Sequence, residues 1–282
     1  MPEPSSRLTA DDVLPLWPAG PSRPLAGLYL EHDLRAAAGR AVFCYANFVV
    51  SLDGRIALDG RVPGSIANPR DWRLFCELAV QADAMLVSGQ HLRARALGAA
   101  QDLFAVFHGA DGAELRAWRA AQGLPPWPRI VVLSRAVDWS LPSEVPPERV
   151  LLLTDSTGAV STGAAHLSAI GVEVCTAGEV AVEPAIAAKI LSEIGLSTVY
   201  AVGGAQVLHW LAAGGLLSRL YLTQVHRLLG GESYAGLIEG AKLRPPYELR
   251  LHRVYYDSAA PGVGGQLYCC YQGGEPDAST LN

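Results

Sequence analysis

Strands alternating with helices, then three consecutive strands at the C-terminus, predict an α/β fold with a mixed, mostly parallel central sheet flanked by helices. The C-terminal strands are expected to be antiparallel. Three observations carry this. Residues 199–204 read Val-Tyr-Ala-Val-Gly-Gly and pass without a gap into the helical pattern Ala205–Gly214, a strand-Gly-Gly-helix unit. Short apolar runs recur at Ala84–Ser88, Arg129–Ser134, Val150–Thr154 and Val172–Cys175, with helical patterns between some of them. The strand patterns Leu216–Leu229, Tyr247–Tyr256 and Gln266–Gln272 then follow with only loops between them.

Taken in order, residues 1–40 stand apart as a Pro-rich arm with a short helical pattern near Asp33–Ala38. Trp17 and Leu28–Leu30 suit it to pack on the body or on a second subunit. Arg40–Leu52 is a strand closed by the turn signal Asp53-Gly54. Asn68 caps a helix whose first residue is Pro69 and which runs to about Gln81, with Trp72, Phe75, Leu78 and Ala79 on its buried face. Residues 90–128 give a basic, alanine-rich helical pattern and then Pro125-Pro126-Trp127-Pro128. A helical run covers Glu183–Ile194, and residues 273–282 read as a frayed tail. The organisation is therefore an arm (1–40), one α/β domain (41–272) and a tail (273–282), without an internal repeat.

Composition narrows the functions. The chain has 282 residues, half of them hydrophobic, and a net charge of −5 with acids and bases interspersed. That is enough for a sizeable core, and it argues against nucleic acid or an anionic membrane as partner. No apolar run approaches the ~18 residues that span a bilayer. The first residues lack the basic start and apolar stretch of a secretory signal, and five scattered cysteines read as reduced core thiols, so a cytoplasmic location is expected. Cys269-Cys270 lies in a strand pattern and reads as packing.

The Gly203-Gly204 junction is the most informative local feature. Glycine there lets backbone approach a ligand, and the free amides of the first helical turn favour an anion, typically a phosphate. The same pair would also serve tight strand-to-helix packing, and motif chemistry alone leaves both readings open. His91, Arg93 and Arg95 follow a strand end, where open α/β sheets bind ligands. They could grip a phosphate or carboxylate, or form a solvated helix face. His209 and His226 lie inside helix and strand patterns and read as structural. Zinc-deaminase, P-loop, Gly-x-Ser-x-Gly and metal-ligand spacings are lacking, so no metal is expected.

Four blocks together resemble a known family. Asn47-Phe-Val-Val-Ser-Leu-Asp-Gly-Arg-Ile-Ala, Gln81-Ala-Asp-Ala-Met-Leu-Val-Ser-Gly, Arg129-Ile-Val-Val-Leu-Ser, and Gly203-Gly204-Ala205 through Leu228-Leu-Gly-Gly are similar to the pyrimidine reductases of riboflavin biosynthesis, in the family's order. The resemblance implies a dihydrofolate-reductase-like fold and an NADPH-dependent reductase of a ribosylamino-pyrimidine phosphate. It also implies a homodimer acting on a small molecule. It places Val50 and Ser134 at cofactor positions. The residues add that Ser134-Arg135 offers a hydroxyl and a cation for a 2′-phosphate, and that the junction suits a pyrophosphate. Asp53 could orient the nicotinamide end or simply make the turn. The candidate cofactor set is Val50, Asp53, Ser65, His91, Ser134, Arg135, Gly203, Gly204, Ala205, Gln206, Val207 and Leu208. Arg93 and Arg95 are the candidate substrate groups, and no catalytic side chain is assigned. On the substrate side the chain departs from the family: Ser65 stands at a tryptophan, Ala79 at an arginine, His91 at a threonine, Arg95 at an acid and Val202 at a glutamate. A reductase of another heterocycle or imine, or a non-catalytic nucleotide-binding protein, is therefore the alternative.

Overall fold

The computed structural model describes residues 11–39, 42–232, 234–262 and 264–274. Expectations for residues 1–10, 40–41 and 275–282, including most of the tail, lie outside the described residues.

The arm supplies β1 (Asp12–Trp17), β2 (Arg23–Pro24) and α1 (Leu34–Ala38), which Asp33 caps by accepting the Ala36 amide. Next come β3 (Phe43–Ser51), the short β4 (Arg55–Ala57) and α2 (Pro69–Gln81). The Asn68 side chain accepts the amides of Arg70 and Asp71, so the local signal sets where α2 begins. There follow β5 (Ala84–Ser88), α3 (Gly89–Ala96), α4 (Ala105–His108), α5 (Ala113–Ala121), β6 (Arg129–Leu133) and β7 (Val150–Thr154). Then α6 (Ser156–Ala159), α7 (Thr162–Ala169), β8 (Glu173–Thr176), α8 (Pro184–Glu193) and β9 (Thr198–Ala201) lead to α9 (Ala205–Ala213). The chain closes with β10 (Leu217–Val225), β11 (Ala235–Gly236), β12 (Leu249–Asp257) and β13 (Gln266–Gly273).

Among the described residues, eleven strands form one sheet in the order β2-β1-β12-β13-β10-β3-β9-β5-β6-β7-β8. From β10 to β8 the seven strands are parallel, and from β10 outward to β2 each pairing is antiparallel. The expected mixed sheet with antiparallel C-terminal strands is what forms. Alternate residues of β5 serve two cores. Met85 and Val87 join one with Tyr45, Tyr200 and Tyr221, while Ala84 and Leu86 join another with Leu191, Leu208 and Leu211.

The arm's described part is integral to this sheet. Its β1 pairs with β12 of its own chain, Leu28, Tyr29 and Leu34 are buried in the core, and the Glu77 carboxylate accepts the amides of Gly27 and Tyr29 at 2.6 and 2.9 Å. A crossing to a second subunit is thus replaced by cover of the chain's own sheet edge, since β12 would otherwise present unpaired backbone groups. The long strand expected over Leu216–Leu229 stops at Val225, and Arg227 begins a loop.

Candidate functional site

All seven parallel strands end at one edge, which gathers the loops after Ser51, Ser88, Leu133, Thr154, Thr176, Ala201 and Val225. Open α/β sheets take ligands at such an edge. The two glycines after β9 divide the readings of the junction between them. A Cβ on Gly203 would lie 2.5 Å from Val207 Cγ2 and 3.1 Å from the Ser88 amide nitrogen, so Gly203 serves close packing. Gly204 has φ +87°, and a Cβ there would meet nothing within 4 Å. Its glycine is needed for conformation, and open space faces it.

In the first turn of α9 the amides of Ala205, Gln206 and Val207 precede the first intrahelical partner. The Leu208 amide donates to Gly204 O at 3.1 Å, and the Val207 and Leu208 side chains are core. The amides without an intrahelical partner at this junction are therefore those of Ala205 to Val207, beside Gly204, while the Leu208 amide is spent inside the helix and its side chain packs in the core.

On the neighbouring strands, buried Val50 pairs with Gln224 of β10. Ser134 is buried and its hydroxyl donates to Ala136 O at 2.6 Å, while a Cβ on Gly89 would overlap it. This locks the start of α3 against the end of β6. Arg135 follows with 71% of its side chain exposed, Nε 3.6 Å from Asp155 Oδ2. Asp155 is itself held by the Gly158 amide at 2.8 Å. A cation is thus available beside the edge, with a carboxylate nearby.

Asp53 is fully engaged. It accepts from the Ser51 hydroxyl at 2.5 Å and from the amides of Leu229 and Gly230 at 3.1 and 2.9 Å, and it pairs with Arg55 Nε at 3.2 Å. The Ser51 hydroxyl, then those two amides, hold its carboxyl far below the usual range. The turn reading fits this geometry: Asp53 ties the β3–β4 turn to the second Gly-Gly loop. Ser65 is exposed, and its carbonyl accepts from Arg227 Nη1 at 2.6 Å.

The arginines of the basic trio are already engaged within the chain. Arg93 pairs with Asp138, and Arg95 pairs with Asp102 at 3.0 Å and with Glu144. His91 Nε2 is enclosed without a partner, and burial, then Arg95, lower its pKa. Both arginines are already answered by carboxylates, so the trio is not a set of free cations. Asp102, His108 and Glu144 lie close enough together to hold a cation, but Arg95 already binds both acids of this group.

Four residues carry no signal in the sequence that marks them. Arg227 stands at the edge but was hidden within an over-long strand. Asp71, on the first turn of α2, bonds to Thr223 and keeps Oδ1 enclosed without a partner. Asn47 Nδ2 and the Tyr200 hydroxyl are likewise enclosed and unpartnered. Buried amide, hydroxyl and carboxyl groups carry no periodic signal that marks them.

Sheet order and helix placement define an α/β protein with the expected mixed, mostly parallel sheet, its parallel strands ending together at one edge. The domain model described as the RibD C-terminal domain matches residues 42–260. The chain belongs to this family, the reductases its sequence resembles, and is an oxidoreductase. Among solved structures it is similar to a pyrimidine reductase-like protein from Corynebacterium diphtheriae. That match has 20% identity and a TM-score of 0.64, and covers 85% of this chain and 95% of that one. RibD of Acinetobacter baumannii matches at 15% identity and a TM-score of 0.61, over 88% of this chain and 62% of that one. The chain therefore spans about three fifths of that protein. The riboflavin biosynthesis reductase Rib7 of Saccharomyces cerevisiae matches at 15% identity and a TM-score of 0.55, over 88% and 99%. At these identities the likeness shows the fold. A search of curated proteins returns no match.

Proposed function

We propose that the protein is an NADPH-dependent reductase whose substrate is a ribosylamino-pyrimidine or a related heterocycle or imine. The observation that carries this is Gly204, held at φ +87° with open space above it and three amides of α9 beside it. That cradle suits a pyrophosphate, and Arg135 suits a 2′-phosphate. When bound, the nicotinamide supplies the hydride. The chain's own residues bind and orient: the first turn of α9 takes the diphosphate, Val50 shapes the floor on β3, and Asp53 fixes the loop at Gly230. The fate of the substrate's phosphate stays with groups outside the family pattern, because Arg93 and Arg95 face carboxylates and Ala79 is fully buried. The test is NADPH oxidation with 5-amino-6-(5-phosphoribosylamino)uracil, read beside NADPH binding. Binding without oxidation would point to another substrate, and neither would overturn the proposal.

A homodimer belongs to the same reading. Phe48, Leu222, Cys269, Val254 and Trp17 sit opposite one another on five successive strands, an apolar row across one sheet face. Trp17 is 58% exposed. Association through this row would bury more than ~1,000 Å² in total.

A further inference from the structure

At the opposite edge of the sheet, where the parallel strands begin, a cavity of about 340 Å³ is lined by Arg119, Arg129, Arg149, Asp83 and Glu173. Arg129 opens β6, Arg149 immediately precedes β7, and Arg119 reaches in from α5. Three guanidiniums on separate elements converge there.

The acids do not answer them evenly. Asp83 is taken by Arg35, by the Ser197 hydroxyl and amide, and by the Thr198 amide. Glu173 pairs with Arg129. Among the described residues neither Arg119 nor Arg149 forms an ion pair. Arg119 donates to the carbonyls of Val80, Ala82 and Pro125, and Arg149 Nη2 donates to Trp127 O at 2.6 Å. The Nε of Arg129 and the Nε of Arg149 are both enclosed without an acceptor. Enclosed donors are nearly always paired in folded proteins, and donors left unpaired call for an ion or water. The crowding has a second sign. Burial, then the neighbouring Arg129, lowers the pKa of Arg149, and burial brings Arg119 down to about 10. Helix C-termini at this edge oppose an anion, but Arg119 already satisfies the carbonyls that close α2.

We propose that this cavity is a second, non-catalytic site for a phosphate-class oxyanion, held by Arg119, Arg129 and Arg149 and supplying the acceptors that the enclosed Nε groups lack. It stands apart from the Gly204 edge and does not depend on the reductase reading.

Inorganic phosphate is the probe, titrated into the full chain at constant ionic strength against chloride and followed by ¹H–¹⁵N spectra of the arginine Nε–H groups. Saturable shifts of Arg129 and Arg149 are expected. Arg149→Gln should weaken phosphate about tenfold, the change expected for one charge-assisted hydrogen bond, whereas Arg135→Ala should leave these shifts unchanged. A parallel titration with ribose 5-phosphate separates the sources: tighter binding assigns a phosphoester, and equal or weaker binding assigns free phosphate. Unshifted Nε–H signals, or equal shifts with chloride, would overturn the site. Should Arg149→Gln not fold, Arg129→Gln and the wild-type shifts decide.

Discussion

Asp71 gives the sharpest test of the electrostatics around the edge. It sits in the first turn of α2, its amide bonded to the Asn68 cap at 3.1 Å, while its Oδ1 is enclosed without a partner. Burial pushes its carboxyl up to about 6, against 3.8 when unperturbed, and the Thr223 hydroxyl offsets part of that. The sign follows from which state holds the proton. Between pH 4 and 6 the folded chain keeps a proton that the unfolded chain has released, so stability falls as pH rises through this window and stays lower above it. A displacement of about two units corresponds to ~3 kcal/mol. The helix start favours the anion and the residue keeps some solvent contact, so we take ~1–3 kcal/mol as the penalty at pH 7. Asp71→Asn removes the charge but retains an oxygen for Thr223. It should therefore stabilise the protein above pH 6 by ~1–3 kcal/mol, or roughly 2–4 °C in Tm per kcal/mol. Below pH 4 the gain should vanish. The assay is urea unfolding of both proteins from pH 3.5 to 8, read as their difference, which cancels the opposite slopes of Asp53, Asp83, Glu114 and Glu144. A pH-independent difference would refute the reasoning, as would a variant less stable than wild type at pH 7.

Arg135→Ala should weaken NADPH by the ~1.5–3 kcal/mol typical of a lost charge-assisted contact and leave NADH nearly unchanged, measured by titration calorimetry. Equal weakening of both cofactors would remove Arg135 from the 2′-phosphate, and preference for NADH in the wild type would favour Asp155 as the ribose partner. Gly204→Ala strains a positive-φ position by ~1–3 kcal/mol and should lower NADPH affinity by more than its effect on Tm would suggest; unaltered affinity in the folded variant would make the junction a packing device. Replacing Val254 and Leu222 by Lys should convert a dimer to monomer in sedimentation at micromolar concentration. Wild-type protein already monomeric there would end the dimer proposal, and an unchanged dimer would move the interface elsewhere.

What the sequence disclosed depended on how local each cause was. The start of α2 was readable because Asn68 and Pro69 act within their own turn, and the Gly204 conformation because positive φ selects glycine on the spot. The strand β1 was not: Pro15 interrupts its pattern, and its partner β12 lies some 240 residues away in sequence. The helices α6 and α7 also went unread, since Ser, Thr, Gly and Ala offer little apolar period, and caps from Asp155 and Ser161 supply what propensity does not. The same rule separates the two basic clusters. Arg93 and Arg95 look like a binding pair in one dimension, because Asp138 and Glu144 that answer them come from a loop more than forty residues on. Arg119, Arg129 and Arg149 look unrelated in one dimension, yet the parallel crossovers deliver them to a single cavity. A cation's availability is thus set by what the topology brings to it: at the edge away from the glycines the sheet gathers Arg119 and Arg149 without a carboxylate partner among the described residues, while Arg129 beside them pairs with Glu173.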